Sequence, residues 1–184
     1  MLHCIHFLTL HFKKNNFYFH LTLYPLYIFI LLLFILPACN SKDAGSLDQA
    51  QAAAVKDSVR ILANAVARDV TQEGPKAWLS YFENSPNFFM ASGGKLVFPN
   101  YDSAVTFVNW FASTGRKIQL TWNDLNIDPL KSDIAVLSAI WYEVITDTSG
   151  NRMPQEGYFT GLVEHTPAGW KFRNLHWSIA DQQK

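Results

Sequence analysis

From Gln49 to Asp69 the apolar residues Val55, Val59, Leu62 and Val66 recur at spacings of four, three and four. That is one stripe of an amphipathic helix. Gly74-Pro75 ends it and restarts the chain, with Pro75 suited to a first helical position. A second, shorter helix is predicted there, with Trp78, Leu79 and Phe82 on one side. After Ser85-Pro86 the period changes: NFFMA, the turn SGG and KLVFP read as a small hairpin. Asn100 to Ser103 offers caps for a third helix, in which Ala104, Phe107, Val108 and Phe111 share a face, and Thr114-Gly115 closes it. Residues 116–127, 134–146, 157–165 and 170–180 are rich in Ile, Val, Trp, Tyr, Phe and Thr and read as strands. Breaks fall at Asp128-Pro129, Asp147 to Glu156 and Thr166 to Gly169. The short turns predict an antiparallel meander. Several strands outrun the usual ~3–10 residues, so twist and bulges should curl the sheet into a half-open cup. The stripe of the first helix is the natural filling, and the whole forms one domain.

The N-terminal part has a different pattern. Between Lys14 and Lys42 there is no charged residue, and Leu26 to Ala38 (LYIFILLLFILPA) has the length of a signal-peptide h-region. Leu36-Pro37-Ala38-Cys39 resembles the lipobox of bacterial lipoproteins. The resemblance implies cleavage after residue 38, acylation of Cys39 and a cell-envelope, extracytoplasmic location, periplasmic or on the cell surface. Residues 1–38 would be the signal peptide, 39–48 a lipid-anchored tether and 49–184 the folded domain. The alternative is an uncleaved membrane helix over residues 21–38, which Pro25 would interrupt early. Cys4 lies in the leader, so the mature chain holds no second thiol and no internal disulfide.

Charge changes the picture modestly. The chain has 15 basic and 15 acidic residues; without Lys13 and Lys14, 13 basic face 15 acidic beyond the leader. No basic patch remains to favour nucleic acid as a partner.

The order helix, helix, hairpin, helix, four long strands resembles the nuclear transport factor 2-like (NTF2-like) superfamily, which includes SnoaL-like proteins and ketosteroid isomerases. Gly169-Trp170-Lys171-Phe172-Arg173-Asn174-Leu175-His176-Trp177-Ser178 is similar to the closing strand of SnoaL-like domains, where Gly-Trp opens and a His-x-Ser pair follows. The association domain of calmodulin-dependent kinase ends comparably. Gly157-Tyr158-Phe159-Thr160 resembles the preceding strand, and the likeness covers residues 49–180. It implies an α+β, cystatin-like fold: a cone-shaped, strongly curved antiparallel sheet with three helices over its concave face. A small, largely apolar ligand in the cone is the implied function. An isomerase, cyclase or dehydratase is the alternative, and a non-enzymatic dimerisation module a further one.

Strict alternation on the last strand turns Trp170, Phe172, Asn174, His176 and Ser178 to one face. Lys171 and Arg173, on the other face, want water, so the first set should line the cup. His176 is then the candidate catalytic base; equally, it is a core histidine satisfied by Ser178, Asn174 or a carbonyl. Trp78, Tyr81, Phe82, Trp122 and Tyr158 are the aromatic residues expected to reach a ligand, with Thr160, Asn174, His176 and Ser178 from the closing strands. Trp177 and Ile179 would lie outside, on a face that in this superfamily forms dimers, so a homodimer is expected.

Other chemistry is sparse. Residues 49–70 lack the Tyr, and NFFMA the Asp, that ketosteroid isomerases place there. No G-x-S-x-G elbow occurs. Glu143 in IWYEVIT sits on a strand apolar on both faces, so alternation cannot orient it; an outward or paired Glu is the plainer reading. His165 and His176 have opposite parity on neighbouring strands and do not make a metal site. Asp147 to Asn151 is a turn rather than a calcium loop. No cofactor is called for.

Overall fold

Asp48 opens α1 (Gln49–Glu73) through a capping box: its carboxylate accepts from the Gln51 backbone N–H, and the Gln51 side chain accepts from the Asp48 N–H. The computed structural model describes residues 46–180; the expected signal peptide, the anchor Cys39 and the first part of the tether lie outside them. Val55, Val59, Leu62 and Val66 are all buried, joined by Ala63 and Val70, so the stripe runs the length of the helix. α1 packs on the sheet, where the Trp122 indole N–H donates to the Ala63 carbonyl and the Leu120 N–H to Thr71 Oγ1.

The second helix is a short 3₁₀ helix, Pro75–Ser80. It stops because the chain must straighten: Phe172 donates its N–H to the Tyr81 carbonyl, and Glu83 donates to the Phe172 carbonyl, making a parallel bridge. Strands β1 (Phe89–Ser92) and β2 (Lys95–Phe98) form the expected hairpin. Its two-residue turn, Gly93-Gly94, has positive φ at both positions (56° and 74°), which glycine tolerates. Asn100 and Ser103 cap α2 (Tyr101–Ser113) reciprocally.

Four long strands follow: β3 (Lys117–Lys131), β4 (Ile134–Thr146), β5 (Arg152–Thr166) and β6 (Gly169–Ile179). The sheet has six strands in the order β2-β1-β6-β5-β4-β3, curved and unclosed. The meander β3 to β6 is antiparallel, but β1 pairs parallel with β6, so the sheet is mixed rather than wholly antiparallel. Two strands are longer than the Pro-based boundaries suggest. Pro129 sits on the edge strand β3, and Pro154 on the part of β5 beyond its pairing with β6; neither owes the ladder an N–H there.

Two of the sheet's register irregularities bear on the cup. In β3 the register slips between Asn123 and Asn126, where Asp124 takes φ 50°. In β6 it slips at Arg173: Leu162 pairs with Asn174 but Val163 with Phe172. The extra residue reverses the side-chain faces beyond it. Phe172 and Leu175 are therefore both buried, Trp177 turns inward, and His176 is exposed. This corrects the strict alternation expected of the last strand. His176 and Ser178 lie outside, and Trp177 inside.

Candidate functional site

The inner face of the sheet, the 3₁₀ helix and α2 line a half-open cavity of about 230 Å³. Its walls are aromatic and aliphatic. Trp78 and Phe82 come from the 3₁₀ segment, Phe107 and Phe111 from α2, Phe98 from β2 and Trp177 from β6. Trp78 stacks on Phe82 (5.6 Å between centroids) and meets Trp177 edge-on (5.7 Å). Phe98 and Phe111 pack about Phe107, which is 44% exposed and stands where the cavity meets solvent.

The polar part of the wall is a single pair, Glu143 and Gln155. Opposite each other across β4 and β5, they bond directly: Gln155 Nε2 donates to Glu143 Oε1 at 2.8 Å. Glu143 is 8% exposed, so the inward, paired form is the observed one, not an outward side chain. Burial pushes its carboxyl above the ordinary 4.5, and the Gln155 bond pulls part of the way back. Among the described residues no other titratable side chain lines the cavity. What the arrangement can do chemically is hold one carboxyl group, neutral or charged, against an apolar guest.

That shift has a measurable sign. A carboxyl raised in the folded state stabilises the fold fully below pH 4.5, and the contribution is lost as pH rises through the folded value. Glu143→Gln should therefore gain stability on wild type as pH climbs from 4 to 8, read from thermal melts across that range. A constant difference would mean Glu143 titrates as in water.

Of the residues the sequence proposed, the cavity brings together Trp78 and Phe82. Trp122 faces inward but is spent on Ala63 and on contacts with Phe159 and Trp177. Tyr81 lies off the cavity, its hydroxyl donating to Asp69, with its own pKa pushed up to about 12 by burial and by that carboxylate. Tyr158, Thr160, Asn174, His176 and Ser178 all share the outer face, paired across β5 and β6. Ser178 Oγ donates to the Tyr158 carbonyl, and Asn174 Nδ2 to the Asn87 carbonyl. His176 has no place beside Glu143 and is corrected as a cup residue. Among the described residues no group of three or more His, Cys, Asp or Glu converges. Asp147 makes the expected turn, accepting from the Ser149 and Asn151 N–H groups.

The sequence reading missed Gln155, Phe98, Phe107, Phe111 and Trp177 as wall residues. The shared face of Phe107 and Phe111 was visible; that it borders a cavity was not.

The architecture recurs in solved structures. An NTF2-like superfamily protein from Salmonella enterica serovar Typhimurium superposes with a TM-score of 0.60 at 16% identity, over 72% of this chain and 95% of that one. An NTF2-like family protein from Streptomyces avermitilis, provisionally described as a dehydratase, gives 0.59 at 14%, over 71% and 99%. A type 2 hexachlorocyclohexane dehydrochlorinase gives 0.58 at 13%, over 72% and 89%. No curated protein matches in sequence. The fold is that of the NTF2-like superfamily. Within it, the chain belongs to the SnoaL-like domain family, whose pattern matches residues 59–182.

Proposed function

We propose that this SnoaL-like domain binds a small, largely apolar molecule in its cone, held at the cell envelope by lipid on Cys39. The observation that carries the binding reading is the 230 Å³ cavity with aromatic walls and one buried acid. A void of ~150 Å³ already admits benzene, while drug-sized sites run to ~300–1,000 Å³, so the guest is about one ring with a short substituent. Displacement of an environment-sensitive apolar dye tests it. Wild type should release dye to single-ring competitors, and Phe111→Ala should change their affinity. A wild-type protein that takes up no apolar probe sinks the reading.

The anchor has its own test. Cys39→Ser should leave the leader uncut or release the protein from membranes; a variant still processed and membrane-bound refutes lipidation. A second functional reading, an isomerase or dehydratase, is favoured by the raised Glu143 carboxyl, which would replace His176 as its proton-transfer group. A homodimer through the outer face is proposed on Ile140, Tyr142 and Tyr158, since Trp177 is not on it.

A further inference from the structure

Glu143 accepts one hydrogen bond among the described residues, from Gln155 to Oε1. Its Oε2 accepts none there and is not one of the fully buried, unpartnered atoms, so it is open to the cavity. No cation answers it: the ion pairs among the described residues are Arg68 with Asp69 and Arg173 with Glu164, and no Lys, Arg or His lines the cavity. A buried carboxylate without a counter-charge is costly, and the protein supplies none. The rest of the wall adds to the same sign. Six aromatic rings border the space, and ring faces carry negative potential that attracts cations and repels anions.

We infer that the cavity selects a small apolar amine in its cationic form, the ammonium on Glu143 Oε2 and the hydrocarbon against Trp78, Phe111 and Trp177. The inference rests on the cavity reading above and narrows it to a ligand class. A charge-assisted N–H···O bond is stronger than a neutral one, and the ammonium supplies the missing partner. An anion meets both the carboxylate and the ring faces. A hard metal ion suits the site poorly: Glu143 and Gln155 alone offer side-chain oxygens, and the waters that would complete its shell would face apolar walls.

Three probes of nearly equal shape test it: benzylammonium, benzyl alcohol and benzoate, titrated calorimetrically at pH 7 into the full chain in detergent. Benzylammonium should bind about tenfold or more tighter than the alcohol, the worth of one charge-assisted bond, and benzoate weakest. Glu143→Gln should abolish the amine's advantage over the alcohol. Should that variant not fold, competition of each probe against a bound apolar dye in wild type gives the same ranking. If the alcohol binds wild type as tightly as the amine, or Glu143→Gln leaves the amine's advantage intact, the cation inference falls and the cavity reading stands. If no probe binds wild type, both fall.

Discussion

Gly157→Ala is expected to cost about 3–5 kcal/mol, and on the order of 10–20 °C in melting temperature for a domain of this size. A Cβ there would lie 1.9 Å from the Ser178 carbonyl oxygen and 2.9 Å from Trp141 Nε1. Those atoms are bonded to each other: the Trp141 indole N–H passes over Gly157 to donate to that carbonyl at 2.9 Å. Backbone cannot swing aside as a flexible side chain does. Either β5 parts from β6 or Trp141, fully buried, loses its acceptor. Gly161→Ala is the comparison, because its Cβ would meet only side chains, the Phe159 ring at 2.9 Å and the Phe172 ring at 3.1 Å, and no backbone. Denaturant titration should rank Gly157→Ala as the worse of the two. Apolar-probe binding should fall with it, since the cavity residues Gln155 and Trp177 lie within two positions of Gly157 and Ser178 on the same strands. Equal stability of the two variants would mean that Trp141 does not bridge the strands as described.

Element order was legible because each element carries a local signal. The α1 stripe, the Gly-Gly turn, the Asn100–Ser103 cap and the β-rich blocks each occupy a few neighbouring positions. The candidate site was much less so, for two physical reasons. Gln155 lies in a stretch that Pro154 marks as a break, yet a strand end without a second neighbour accepts proline, and this places Gln155 beside Glu143. Glu143 itself sits on a strand flanked by neighbours on both sides, whose two apolar faces erase the alternation that would orient it. The bulge in β6 did leave a trace. Its large apolar residues are Trp170, Phe172, Leu175, Trp177 and Ile179, a period of two with one position skipped at Arg173-Asn174. The skip has greater force than the wish of Lys171 and Arg173 for water, because burying Leu175 and Trp177 removes far more apolar surface. Weighing those volumes against the two charges would have turned His176 outward.

Trp177→Ala and His176→Ala, changes at adjacent positions, should therefore differ by most of a domain's stability margin. Trp177 packs against four aromatic rings: Trp141 at 4.7 Å between centroids, Phe159 at 5.2 Å, Trp78 at 5.7 Å and Trp122 at 5.8 Å. Truncating a large aromatic side chain in such packing costs about 3–5 kcal/mol. His176 stands exposed between Thr160 and Ala91 on the outer face, where substitution is worth within about 0.5 kcal/mol. Guanidinium unfolding of both variants decides between the two faces of the strand. Binding adds an independent readout: Trp177 borders the cavity, so its truncation enlarges the space and weakens a single-ring probe, while His176→Ala leaves probe affinity as it was. The reverse pattern, a costly His176→Ala with a tolerated Trp177→Ala, requires an unbulged β6 in strict alternation. In that case the wall drawn here for the cavity, with Trp177 as its β6 component, would have to be rebuilt around His176.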